Sequence, residues 1–345
     1  MVELVDDGLN FSFPEVHPQA RLRIEFQRTL RIPDDGSVHF LPPGLGCFPL
    51  RHVDDFPSRV PREWTAHGGV MLPMYQSEAL WIRFEASHIP GRAAYPFVIR
   101  VAAGKIDAVT GDPWSNALDA RPQNYLVAPA QPWLDGFVVE RGVIRQFVAM
   151  PLGAGYTAEE QITGTAEHGG LQILVHPMRR DVFERRFPVQ RIRHLAIPDA
   201  MADMDMAVYC SKMEAQMGLA PGGRMKQEVY DDPFDFADWD RSARSRCFVH
   251  LTNSLVWEAV TDEKPPTPPP TAKLYTRHGL PWFDYYNEGG SALDGSTALK
   301  QLKSVLEMSA AKGEPALPEN ESIDVDRVVR IGPTTRRPVV RDGMF

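Results

Sequence analysis

The side chains best suited by type to acid–base chemistry lie in GAGYTAEEQITGTAEHGG, residues 153–170. Glu159, Glu160 and Glu167 supply carboxylates. His168, set beside Glu167 and a glycine pair, has the chemistry and the loop setting of a general base. Two carboxylates divide acid and base roles where their surroundings push their pKa values apart, and Arg145 upstream would clamp an anion. These five residues are the catalytic candidates for an enzyme of hydrolase or isomerase type acting on a small polar or carbohydrate-like substrate. The same stretch spells G-x-G-x-x-A at Gly153, Gly155 and Ala158. A dinucleotide fingerprint needs a strand, the glycine loop, a full crossover helix and a second parallel strand. Only a few residues stand between Gly155 and Gly164, too few for that helix, so the glycines are read as a turn.

Three further constellations have chemical potential. YDDPFDFADWD places Asp231, Asp232, Asp235, Asp238 and Asp240 around three aromatic rings. Clustered carboxylates can hold Ca²⁺ through several oxygens, although this spacing is not that of an EF-hand loop; calcium is the one cofactor the pattern admits. GLPWFDYY brings Trp282, Asp284, Tyr285 and Tyr286 together. Rings beside carboxylates suit sugar or cation recognition, which makes these four the ligand-binding candidates; an aromatic turn anchoring the C-terminal segment is the plainer reading. Arg179, Arg180, Arg185, Arg186, Arg191 and Arg193 crowd one connector that could meet an anionic partner. The ten histidines show no zinc spacing, and the three cysteines (Cys47, Cys210, Cys247) lie far apart. That sparse, odd count fits inert thiols in a reducing cytoplasm.

The elements that would position these groups are mostly strands. In RLRIEFQRTLRI, Leu22, Ile24, Phe26, Leu30 and Ile32 alternate with polar residues, a period of two that indicates a strand with one buried face. Arg28 falls on the apolar side, where an arginine snorkels, sits at a bulge, or waits for a buried carboxylate. PDDG followed by VHFL predicts a hairpin. ALWIRFE, YPFVIRVAAGKID, FVVERGVIRQFVAM and LQILVHP read as further strands at short intervals, as in an antiparallel sandwich or barrel. Beyond residue 196, DMDMAVYC and GGRMKQEVYDDP read as strands around an APGG turn, and RCFVHL as a third. NSLVWEAVTD reads as a helix capped by Asn253 or Ser254, TAKLYTRHG as one capped by Thr271, and STALKQLKSVLEM as one longer helix.

The expected fold is therefore mainly β (α+β overall), with an antiparallel sandwich- or barrel-like body and a smaller α/β C-terminal portion. Residues 1–195 form the β-rich domain and 196–261 a mixed portion packed on it. Residues 262–271, with five prolines in DEKPPTPPPT, are extended, either as a linker or laid along the surface, and 272–345 hold short helices, the aromatic segment and a basic tail.

QPWLDG, RQFVAMPLGAGYTAEEQITG and GLPWFDYY resemble segments of a family of bacterial and fungal proteins that is itself uncharacterised. The resemblance spans roughly residues 20–310 and implies one integrated protein, with no activity attached. A formal charge of −8 argues against a general affinity for nucleic acid or anionic membrane. The N-terminal stretch has no basic segment followed by an apolar one, and no run reaches the roughly 18–20 apolar residues of a spanning helix. The expected protein is thus cytoplasmic, without nucleic-acid or membrane partners. Its expected role is non-catalytic binding or assembly, through a protein partner or homo-oligomer. The alternatives are the enzyme above and a carbohydrate-binding module.

Overall fold

A computed structural model describes residues 1–188, 216–285, 290–325 and 327–331. Among these residues one continuous sheet takes in seventeen strands, nearly all antiparallel. Strand Arg21–Thr29 follows from its alternation: Leu22, Ile24 and Phe26 are buried, and it pairs with Gly8–Ser12 on one side and Ala79–Ala86 on the other. From Ala79–Ala86 the ladder passes through Val143–Pro151 to Gln216–Lys226. It continues through Ser245–Asn253, Leu171–Pro177 and Phe97–Ala103. The last two strands are buried along their whole length, as the middle of a two-layered, sandwich-like body requires.

A smaller α/β region completes the chain. It comprises helices Ser254–Thr261, Ala272–Arg277, Thr297–Lys300 and Val305–Lys312, with a two-stranded parallel sheet of Trp282–Tyr285 and Val328–Ile331. Trp282, Leu299 and Leu302 join the same apolar core as Leu9 and Phe26. No helix among the described residues is long and apolar enough to cross a membrane.

Three local expectations are corrected. Val38–His39 does not form a hairpin with the preceding strand; it pairs in parallel with Arg224–Met225. The APGG segment is no turn: Ala220 to Gly223 run inside strand Gln216–Lys226. The glycines serve close approach instead, since a Cβ on Gly223 would lie 2.2 Å from the Pro33 carbonyl oxygen and one on Gly222 2.5 Å from a Val148 methyl. The long helix of residues 296–308 is two short ones, because Ser304 forms a capping box with Glu307 and restarts the backbone. DMDMAVYC, Arg191, Arg193, Cys210 and Tyr286 lie outside the described residues.

Arg28 resolves to the buried-cation alternative. It meets Glu78 at 2.7 Å, with the carboxylate side chain 1% exposed. Glu78 also accepts the Tyr75 N–H, and burial pushes its pKa up against the pull of Arg28.

Candidate functional site

The glycine stretch behaves as a turn. Gly153 and Gly155 have φ of 95° and 74°, and the helix that follows, Ala158–Thr163, is six residues long and closed by a left-handed Gly164. Strand Leu171–Pro177, which comes next, is antiparallel to both of its neighbours.

The catalytic candidates are held by separate partners. Glu159 is 2% exposed and its carboxylate accepts three backbone N–H groups: Glu167 at 3.0 Å, His168 at 2.8 Å and Gly169 at 2.8 Å. Glu160 caps its own helix, accepting from the Gly155 N–H at 2.6 Å and the Thr157 hydroxyl at 2.7 Å. Both carboxylates are consumed by loop geometry. His168 lies 3.8 Å from the exposed Glu167 carboxylate, and its ring meets His67 edge-on at 6.2 Å. Arg145 pairs with Glu307 at 3.4 Å. It stands six residues from the Pro151 end of its strand, roughly 20 Å away at the rise of a β-strand, so it cannot clamp a substrate at His168.

The five aspartates also separate. Asp232 accepts from the Trp239 indole N–H at 2.7 Å and the Tyr125 hydroxyl at 2.8 Å. Asp235 and Asp238 share Arg186, Asp240 closes a local turn through Ser242 and Ala243, and Asp231 is exposed. Among the described residues no group of three or more His, Cys, Asp or Glu could hold a metal ion. Arg179 and Arg180, which line a wide open groove of about 970 Å³, pair with Asp181 and Glu184.

The ligand-binding segment yields a different result. Trp282, which sugar stacking would need exposed and the anchor reading buried, is 0% exposed; it anchors the segment and donates its indole N–H to the Thr276 hydroxyl at 3.1 Å. Strand alternation then turns Phe283 outward. Its backbone exchanges two hydrogen bonds of 2.9 Å with Leu41, which pins the segment across the sheet. Tyr285 packs edge-on against Trp133 at 4.7 Å. Asp284 meets the Lys226 ammonium at 2.8 Å, at an angle outside hydrogen-bond geometry.

Where this segment crosses the sheet it roofs a cavity of about 360 Å³. Its walls are Trp81, Trp133 and Phe283 with Pro42 and Pro43, and Asp135 is the one ionisable residue among them. Trp81 is the outward-facing residue between buried Leu80 and Ile82. Trp133 sits on the neighbouring short strand, and the two indoles meet edge to face at 6.1 Å. Asp135 is 3% exposed. Its Oδ1 accepts from the Gln227 amide at 2.7 Å, while the Gln227 carbonyl takes the Asp135 N–H at 3.0 Å. No hydrogen bond from the described residues reaches Oδ2, which belongs to a side chain lining the cavity. Burial pushes the Asp135 pKa up to about 7, against the lowering effect of Gln227.

This arrangement unites QPWLDG and GLPWFDYY, which are separated by some 150 residues of chain. Reading the sequence misses Trp81, Trp133 and Asp135 as site residues. Two signals point to Trp81 and Asp135: a tryptophan on the polar side of an alternating strand, and a lone aspartate between two apolar strands. The chain matches no protein-family model, no curated protein and no solved structure.

Proposed function

We propose that this chain is a small-molecule binding protein whose ligand enters the aromatic cavity beneath the C-terminal segment. One observation carries the reading: a buried carboxylate, half of it committed to Gln227, borders a cavity otherwise walled by rings and prolines. A few hundred Å³ of apolar space with one placed polar group is the usual form of a small-ligand site. Keeping a carboxylate in such a place costs stability, and a cost of that kind is common where a group has a task. The enzyme alternative then moves from His168 to Asp135, whose pKa near 7 suits a general base. It is separated from plain binding by whether bound compounds are returned chemically unchanged.

The reading is tested by screening fragments for ligand-detected NMR signals against the full chain and the Trp133→Ala variant. Hits that bind the first and not the second support it. A hit set indifferent to Trp133 rejects it.

The carboxylate also predicts a pH effect. Between its ordinary value of 3.8 and about 7, the folded chain keeps a proton on Asp135 that the unfolded chain has shed. This residue's contribution to stability therefore falls as pH rises through that window, and the full penalty stands above it. Asp135→Asn keeps the acceptor for Gln227 without the charge. Its Tm, followed by circular dichroism, is expected to exceed that of the parent by several degrees at pH 8 and to match it at pH 4; the opposite order would place the Asp135 oxygen in a polar setting.

A further inference from the structure

We infer that the ligand of the aromatic cavity is an organic ammonium ion, seated with its cationic head against Asp135 and its alkyl groups against Trp81, Trp133 and Phe283. This rests on the cavity being a binding site at all, and it names the chemistry that site selects.

Among the described residues Asp135 is the only ionisable side chain on the cavity wall, and no cationic side chain lines it. Lys226 pairs with Asp284 at 2.8 Å, Arg83 with Glu25 at 3.2 Å and Arg224 with Glu140 at 2.9 Å. The described residues supply no positive partner that would ionise Asp135 in place; the ligand does. An inorganic cation needs six or more oxygens, or several nitrogen and sulfur donors, and the wall offers one carboxylate. An alkylated ammonium needs far less. It is weakly hydrated, and it is drawn to the faces of indole and phenyl rings, the recognition mode of aromatic cages.

Polarity excludes the other main class. A sugar in a site of this size carries several hydroxyls, each needing a partner when buried. The Gln227 amide is already spent on Asp135 in both directions, so among the described side chains the two indole N–H groups and one carboxylate oxygen are what remains. That inventory fits one charged head on an apolar body.

Proton linkage sharpens the expectation. The empty site holds a proton at acidic pH, and a bound cation favours the ionised carboxylate. Uptake of the ammonium below pH 7 thus expels a proton, and affinity rises with pH until Asp135 is ionised in the empty site.

The test uses the full chain, isothermal titration calorimetry and tryptophan fluorescence. Tetramethylammonium, choline and benzyltrimethylammonium are each paired with the uncharged isostere in which carbon replaces nitrogen. At least one ammonium is expected to bind tenfold or more tightly than its isostere at pH 8, with that preference shrinking at least tenfold at pH 5. Titrations at pH 6 in buffers of different ionisation heat should report proton release, and at pH 8 none. Asp135→Asn should remove the charge preference and leave the isostere's affinity in place; should that variant not fold, the pH series on the parent chain decides the matter. Isosteres that bind as tightly as every ammonium overturn the ammonium inference and leave the cavity reading standing. Compounds of neither kind binding, with no fragment displaced by Trp133→Ala, would remove both.

Discussion

Replacing Arg100 by methionine is expected to destabilise the fold by about 3–5 kcal/mol, the usual cost of stripping one partner from a buried ion pair. Arg100 and Asp107 are 1% and 0% exposed, and Nη2 meets the carboxylate at 2.6 Å. The guanidinium does more than neutralise. It donates to the carbonyls of Ser115 at 2.7 Å and Asn124 at 3.2 Å, and lies 4.6 Å from the centre of the Trp114 ring. One side chain on strand Phe97–Ala103 thereby ties down the whole excursion of residues 107–124. Asp107 in turn accepts the N–H groups of Val109 and Thr110. Burial already drives the Asp107 pKa up, and Arg100 is the main force holding it down. Without Arg100 the carboxyl takes a proton more readily when folded than when unfolded, so the loss should be larger at pH 8 than at pH 5. Urea titrations at both pH values measure this. Arg100→Met combined with Asp107→Asn should recover part of the loss, because the orphaned charge goes with its partner. Equal losses at both pH values would mean that Asp107 never feels the missing cation.

How much of this was legible beforehand depends on the range of the interaction. Strands such as Arg21–Thr29 and Leu171–Pro177 declare themselves through alternation or unbroken apolarity, since side-chain direction is fixed within the strand. The caps at Thr157, Asn253 and Thr271 are equally local; the capping box at Ser304 is local too, but the apolar stripe running across it conceals it. Failures arise where a distant partner decides. APGG reads as a turn by composition, yet Pro33 and Val148 press against the backbone there and only glycine fits. Val38 finds Arg224 and not its own neighbours. The site follows the same rule. GLPWFDYY was visible as an aromatic segment, but which of its rings is buried depends on Leu41, and that contact makes Trp282 the anchor and Phe283 the cavity wall. Asp135 owes its burial to Gln227 and to a roof supplied from residues 283 and 331. Its setting between two apolar strands is a local signal, but one shared with ordinary turn aspartates until those distant partners are in place.

Glu159→Ala is expected to cost a further 3 kcal/mol or more, for a reason opposite to the one that made this residue an acid–base candidate. A buried backbone N–H left without an acceptor costs about 1–3 kcal/mol, and Glu159 serves three in succession, a buried one at 169 and part-buried ones at 167 and 168. The carboxylate sits over Gly104, where an added Cβ would lie 2.5 Å from Oε2, so the surrounding backbone is built to its outline. Water could not replace it without pushing apart the Gly104 turn and the loop leading into strand Leu171–Pro177. Glu159→Gln should fall between parent and alanine, because one oxygen survives and the new amide nitrogen faces an N–H. Amide hydrogen exchange gives the local readout: protection at residues 167–169 should drop in Glu159→Ala while the core strand Phe97–Ala103 keeps its order of protection. Alanine at Glu167 or His168 removes an exposed or partly exposed side chain and should move stability by no more than about 0.5 kcal/mol. If Glu159→Ala instead kept full stability and full protection at those three amides, the carboxylate would be free of the loop, and acid–base chemistry at residues 159–168 would return as the better account of this region.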